Sequence, residues 1–324
     1  VSAIHFEQVS RLFPGATVPA VDNCTLEVPA KSFVVILGPS GCGKTTLLKM
    51  VNRLYEPTSG HIFLDGADVR SLEVTALRRR IGYVIQQGGL FPHLTVARNV
   101  GVVPELLDWP KERIAARVRE LLSLVELDPD EYQERYPAQL SGGQQQRVGL
   151  ARALAGDPQV ILMDEPFGAI DAITRGTLQE AVLKLQRRLH KTVLFVTHDV
   201  EEALRLADRI VVMRAGRVVQ YDTPFELLAH PVDEFVSSLL GAEDVVRRLS
   251  LVRVETAMAH DFAQPEESPT VALGENLRQA LSVMLRTGAV QVIVIDGDRP
   301  TGIVTLEQIR LAAQGMGAGL PELV

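Results

Sequence analysis

Cysteine is nearly absent from this chain, with two in 324 residues. Cys42 lies inside a glycine-rich loop that a bridge to Cys24 would deform, so a disulfide framework is excluded and a reducing compartment fits. Long apolar runs are missing too. Phe33 to Leu37 and Val160 to Met163 are among the longest, far short of the roughly 20 residues that cross a bilayer. The first ten residues are charged and polar where a secretory leader needs an apolar stretch, so the chain is expected to stay in the cytoplasm. Positive charge is also short: 33 Lys and Arg face 40 Asp and Glu, for a net charge of −7, which leaves no basic footprint for DNA or RNA. What is present is a globular composition, 46% hydrophobic with mean hydropathy +0.12, in a chain long enough for two domains.

Residues 1 to 37 read as short strands divided by turns, the last of them the apolar run Phe33 to Leu37, which ends directly on glycine. Lys44 to Leu54 has helical spacing and no breaker, so the local order is strand, Gly-rich loop, helix. From about 95 to 155 the pattern turns helical, with Ile114, Val118, Leu121, Leu122 and Val125 on one face. Strand signals then return at Gln159 to Met163, Thr192 to Val196 and Arg209 to Met213, alternating with amphipathic helices, as in a mostly parallel sheet covered by helices. The composition shifts near residue 230. Residues 230 to 256 read as a helical connection and Ala263 to Pro269 as an exposed loop, followed by a small module: helix Leu277 to Leu285, strand Val290 to Ile295, turn Asp296-Gly297-Asp298, strand Gly302 to Thr305 and helix Leu306 to Ala313.

Three motifs carry chemistry. Gly38-Pro39-Ser40-Gly41-Cys42-Gly43-Lys44-Thr45, followed by Thr46, fits a phosphate-binding loop between a strand and a helix. Its glycines let backbone N–H groups wrap phosphates at a helix N-terminus. Lys44 would reach the β- and γ-phosphates of ATP, and the Thr45 hydroxyl would bind Mg²⁺. Second, the strand Val160 to Met163 ends on Asp164 and Glu165. Taken alone, two acids there are a solvated strand end; paired with the phosphate loop, Asp164 suits Mg²⁺ and Glu165 suits the attacking water. Third, Leu140-Ser141-Gly142-Gly143-Gln144 opens a further helix, where Ser141 is either a plain N-cap or a second anion contact.

With that third motif the sequence resembles the ABC ATPase family, matching its LSGGQ signature at every position. The resemblance implies a RecA-like α/β ATPase core with an antiparallel β subdomain and a helical subdomain. It further implies that Gln86 contacts Mg²⁺ and the attacking water, that His198 is a switch residue at the γ-phosphate, and that Asp171 belongs to the D-loop, with Ile170 where leucine is common. Phe13 resembles the aromatic residue that stacks on adenine. Ser141, Gly142, Gly143, Gln144 and Asp171 would serve the nucleotide of a second copy, so a homodimer is expected. The stretch from Leu90 to Leu94 resembles the surface that receives the membrane permease, and Leu90, Phe91 and Leu94 are expected to form an apolar patch there.

Within the family, Gly89-Leu90-Phe91-Pro92-His93 and Asp108-Trp109-Pro110 resemble ATP-binding subunits of quaternary-amine importers, which take up glycine betaine, carnitine, choline or proline. Residues 271 to 313 look like one cystathionine-β-synthase-type (CBS) module. The expected organisation is a nucleotide-binding domain over 1–240 (helical part about 95–155), a linker over 241–269 and a CBS-like module over 270–324, for which adenine nucleotides are candidate ligands. The resemblance places the subunit on the cytoplasmic face of the plasma membrane, with permease subunits and a solute-binding protein as partners. Other readings are an importer subunit for another small solute such as an amino acid, an exporter subunit, and a soluble ABC ATPase without a permease.

Overall fold

The computed structural model describes residues 2–85, 89–168, 172–260 and 268–313. It divides into two compact units, Val1–Tyr221 and Asp222–Val324.

The strands of the first unit are β1 (Ser2–Arg11), β2 (Val21–Pro29), β3 (Phe33–Leu37), β4 (Ser59–Leu64), β5 (Ala67–Asp68), β6 (Ile81–Val84), β7 (Val160–Asp164), β8 (Thr192–Thr197), β9 (Arg209–Arg214) and β10 (Arg217–Asp222). Four of them make a small sheet in the order β2-β1-β4-β5, with antiparallel pairing throughout. The other six run β10-β9-β3-β8-β7-β6, and every contact from β9 to β6 is parallel. β3, β7 and β8 are buried at every residue, which is why the sequence shows them as unbroken apolar runs rather than as alternation. One core joins the two sheets: Ile4, Phe6 and Leu26 pack in the same cluster as Leu47 and Leu48 of the helix Lys44–Val51 and Leu162 and Leu194 of the large sheet.

The helical insert consists of Val96–Leu106, Lys111–Leu124, Pro129–Tyr132 and Gly142–Ala155, packed on one another. Thr95 caps the first of these, and its buried residues Val96, Val100 and Pro104 recur every four positions, the stripe that an amphipathic helix turns inward.

In the second unit β11 (Thr270–Ala272) pairs parallel with β12 (Gln291–Asp296), which pairs antiparallel with β13 (Arg299–Thr305). Gly297, at φ 60°, takes the first place of the two-residue turn between β12 and β13, the position where such a turn needs positive φ. The helices Leu277–Thr287 and Leu306–Ala313 supply Leu277, Ala280, Met284 and Ile309 to a separate core. Three findings differ from the sequence reading. β11 carries only three residues, too few to show a strand period. Within the span read as a linker, residues 249–254 are structured, because Leu249, Val252 and Val254 are buried in that core. The compact units meet at 221/222 rather than near 240, since Phe225 packs against the second core. The loop expected from 263 to 269 lies mostly outside the described residues.

Candidate functional site

β3 delivers its last residue, Leu37, straight into the glycine-rich loop expected to bind phosphate, and the helix Lys44–Val51 begins at its end. Gly43 stands at φ 105° as that helix's N-cap, and a Cβ there would strike the Ala20 carbonyl oxygen. A Cβ on Gly38 would strike the Met213 carbonyl oxygen, with Cys42 Sγ 2.8 Å away. Both positions therefore require glycine. Pro39, Ser40 and Gly41 are exposed, whereas Lys44 is 5% exposed and bent back over the loop. Its Nζ donates to the carbonyls of Gly38 at 2.8 Å and Pro39 at 3.0 Å. Thr46 follows half-buried in the first turn. Burial pushes the Cys42 thiol up, against the opposing pull of Lys44.

β7 and β8 end beside this loop. The Thr45 hydroxyl donates to Asp164 Oδ1 at 2.7 Å. Asp164 is buried, and desolvation raises its carboxyl above the usual range, opposed by the Thr45 hydrogen bond and the charges of Lys49 and Lys44 and reinforced by Glu165. Glu165 takes φ 43°, while its N–H donates to the Val196 carbonyl of β8 at 3.0 Å. A left-handed backbone costs a non-glycine residue roughly 1–2 kcal/mol, and such strain collects where function needs a fixed side-chain direction. His198, just past β8, meets it: Nδ1 lies 3.2 Å from Glu165 Oε2, with the imidazole 58% exposed. A hydroxyl, an ammonium, two carboxylates and an imidazole thus surround the end of a phosphate loop, which is an arrangement able to hold a polyphosphate and take a proton from water beside it.

The signature lies on the insert. Ser141 caps the helix Gly142–Ala155 through a reciprocal pair: Ser141 Oγ accepts from Gln144 N–H at 3.3 Å, and Gln144 Oε1 accepts from Ser141 N–H at 2.9 Å. Gln144 Nε2 donates to the Tyr132 hydroxyl at 3.1 Å, so both ends of this amide are engaged locally. The Ser141 hydroxyl keeps its proton to offer, and Gly142 is exposed with nothing within 4 Å of where a Cβ would stand. Among the described residues no hydrogen bond joins 141–144 to 38–45. The ring of Phe13 meets Tyr55 edge-on at 5.2 Å and carries the Arg11 guanidinium 4.7 Å from its centroid. Gln86 and Asp171 lie outside the described residues.

Of the expected apolar trio Phe91 is 42% exposed and Leu94 half-buried, whereas Leu90 is buried. The sequence reading missed the residue that shapes this loop. Asn99, fully buried, accepts from the Phe91 N–H at 2.7 Å and donates toward the carbonyls of Phe91, Leu94 and Thr95 at 3.0–3.1 Å. A polar residue inside the apolar stripe of its helix was the available signal.

Residues 21–168 match the ABC transporter family model, and residues 255–315 match the CBS domain model. The chain is 48% identical over 309 residues, 94% of its length and 79% of the relative's, to the glycine betaine/carnitine/choline transport ATP-binding protein of Bacillus subtilis. It is 51% identical to the sulfate/thiosulfate import ATP-binding protein of Gloeobacter violaceus, but over 222 residues, 68% of this chain and 63% of that protein. Among solved structures, a dimeric post-hydrolysis state of an ATP-binding cassette bound to ADP and Pi superposes with a TM-score of 0.62 at 35% identity, covering 68% of this chain and 98% of that one. The chain belongs to the family of ABC transporter ATP-binding proteins. It is a nucleotide-binding ATPase of that class and carries a CBS domain.

Proposed function

We propose that this ATPase energises import of a quaternary-amine osmoprotectant, glycine betaine, choline, carnitine or proline. One observation carries the solute class. The match to a glycine betaine/carnitine/choline relative runs over 94% of the chain and so takes in most of the second unit, whereas the sulfate/thiosulfate relative, although 51% identical, aligns over only 68%. An ATPase shared across solutes would be matched equally by both.

In this reading Lys44 and the backbone N–H groups of 40–46 hold the phosphates of ATP. The donors near them are hard oxygens, the Thr45 hydroxyl and the Asp164 carboxylate 2.7 Å apart, a set that suits Mg²⁺; Gln86 would join them. When bound, the ion neutralises charge on the phosphates. Glu165 accepts the proton of the attacking water, and His198 orients Glu165 and donates toward the γ-phosphate. Phe13 offers the ring face not covered by Arg11 to adenine. Ser141, Gly142, Gly143, Gln144 and Asp171 complete the site of a second copy, the Ser141 hydroxyl donating to its γ-phosphate and Gln144 holding the cap. The resulting homodimer closes on ATP and opens after hydrolysis. It would dock on permease subunits at the cytoplasmic face of the membrane, fed by a solute-binding protein; no helix among the described residues is long and apolar enough to cross a membrane.

The test is uptake of labelled glycine betaine, with choline and carnitine as competitors, in cells with and without this subunit, before and after osmotic upshift. Uptake that requires the chain is expected. Uptake indifferent to it would remove the solute assignment and leave the ATPase.

A further inference from the structure

Glu202 is a buried acid with no part in the hydrolysis described above. It stands in the first turn of the helix Val200–Leu206, just after β8 and His198, and is 5% exposed. A glutamate is almost never buried so fully unless it is paired, yet no ion pair reaches this one among the described residues. Burial raises its carboxyl above the usual range, and the hydrogen bond from Thr197 opposes that rise.

What holds Glu202 is a line of hydrogen bonds that can run in one direction only. The Asp199 N–H donates to Thr197 Oγ1 at 3.0 Å, so the Thr197 hydroxyl turns its own proton to Glu202 Oε2 at 2.7 Å. On the other side Arg205, which has donors alone, bonds Gln179 Oε1 at 3.3 Å. That turns the Gln179 amide nitrogen to Glu202 Oε1, also at 3.3 Å. Donors arrive from both ends, so the group in the middle must accept on both its atoms, as an ionised carboxylate does and a glutamine does not.

These bonds anchor both neighbours of His198. Thr197, 2% exposed, is the last residue of β8. Asp199 caps the helix Val200–Leu206, its Oδ1 accepting from the N–H groups of Glu201 and Glu202 at 2.9 and 3.2 Å, and its Oδ2 lies 3.4 Å from Arg175 Nη1. Arg175 and Gln179 both belong to the helix Ala172–Leu189. Between the two anchored residues the imidazole of His198 is exposed and reaches Glu165, so its aim is set by the backbone on either side of it.

We infer that Glu202 is a positioning residue for ATP hydrolysis, an inference that rests on the role given to His198 above: by holding Thr197, and through Gln179 the helix Ala172–Leu189, it fixes the backbone that directs His198 to Glu165. An apolar side chain would fill the same place without the desolvation that a buried ion suffers. It would leave the Thr197 hydroxyl without its acceptor.

The test is steady-state ATPase activity of the full chain with magnesium, beside its affinity for a non-hydrolysable ATP analogue. Glu202→Gln keeps the shape but sets an NH2 group against a donor. It should lower kcat at least about tenfold, since a displacement of about 1 Å at a reacting group costs about 100-fold. Affinity for the analogue should stay within about twofold, the mark of a group that serves the reaction step and not binding. Thr197→Val breaks the same link from the other end and should have the same effect. Combining Glu202→Gln with Gln179→Glu matches every donor again: Arg205 and the amide nitrogen at 202 donate to the carboxylate at 179, and the amide oxygen at 202 accepts from Thr197. This exchange should bring kcat back to within about threefold of wild type, a coupling that a general loss of packing would not produce. In a His198→Ala background Glu202→Gln should cost nothing further, because it acts through that imidazole. Wild-type kcat in His198→Ala would remove the role given to His198 and this inference with it. If His198→Ala is impaired, then wild-type kcat in Glu202→Gln and Thr197→Val, additive losses in the double variant, or an exchange no better than Glu202→Gln would overturn the inference alone.

Discussion

Glu165 pairs a strained backbone with the carboxylate assigned to take the proton, and two substitutions separate these contributions. Glu165→Gln removes the charge and the contact with His198 while keeping φ at 43°. Glu165→Gly removes them too and also releases the backbone. The relief is roughly 1–2 kcal/mol, offset by roughly 0.5–1 kcal/mol for the extra freedom of glycine in the unfolded chain. The glycine variant should therefore be more stable than the glutamine variant by about 0.5–1 kcal/mol, or about 2 °C in melting temperature for a unit of this size. Both should bind ATP and lose at least about 100-fold in turnover, the usual contribution of a general base. Melts of the nucleotide-free variants and steady-state phosphate release measure the two effects. A glycine variant less stable than the glutamine variant would refute the strain argument. Turnover within tenfold of wild type in either would refute the role given to the carboxylate.

Thr45→Val strips Asp164 of its 2.7 Å donor, so the carboxyl should rise further and the folded state lose about 1–3 kcal/mol, with a higher magnesium requirement for ATPase activity. Asp164→Asn should stabilise the fold near neutral pH, because burial raises this carboxyl above its unfolded value. The wild type then takes up its proton first in the folded state, so its stability rises as pH falls through the folded value and the variant's advantage disappears below the ordinary carboxylate range; denaturant titrations across that span read the crossing. Asn99→Leu leaves the loop groups of Phe91, Leu94 and Thr95 without their shared partner. It should cost about 3 kcal/mol, visible as faster amide exchange in 91–106.

The sheet strands β3, β7 and β8 were legible because burial on both faces writes them as unbroken apolar runs, and the turn from β3 into the next helix was legible as glycine-rich because Gly38 and Gly43 stand where any side chain would strike backbone oxygen. The insert could be read from its spacing to within a residue or two at each end. Three residues of β11 carry no period. Leu249, Val252 and Val254 are too sparse to announce a buried segment. Long-range placement is not written locally either: the spacing of Glu165 and His198 says nothing of their 3.2 Å approach, which follows from β7 and β8 lying side by side. Of the trio expected at the surface Leu90 alone is buried, a placement that depends on the fold around it rather than on local spacing.

The order in which the large sheet is threaded also governs how the protein is made. β3 pairs Phe33 with Val193 and Leu37 with Thr197, so the strand that bears the phosphate loop waits for most of the first unit to leave the ribosome before its neighbour exists. Contacts so distant in sequence form slowly. A slip of one residue in either strand would turn its side chains to the opposite face. A nascent or misregistered chain therefore holds Thr45 apart from Asp164, and with the roles proposed for these residues ATP hydrolysis waits until the sheet has closed in register.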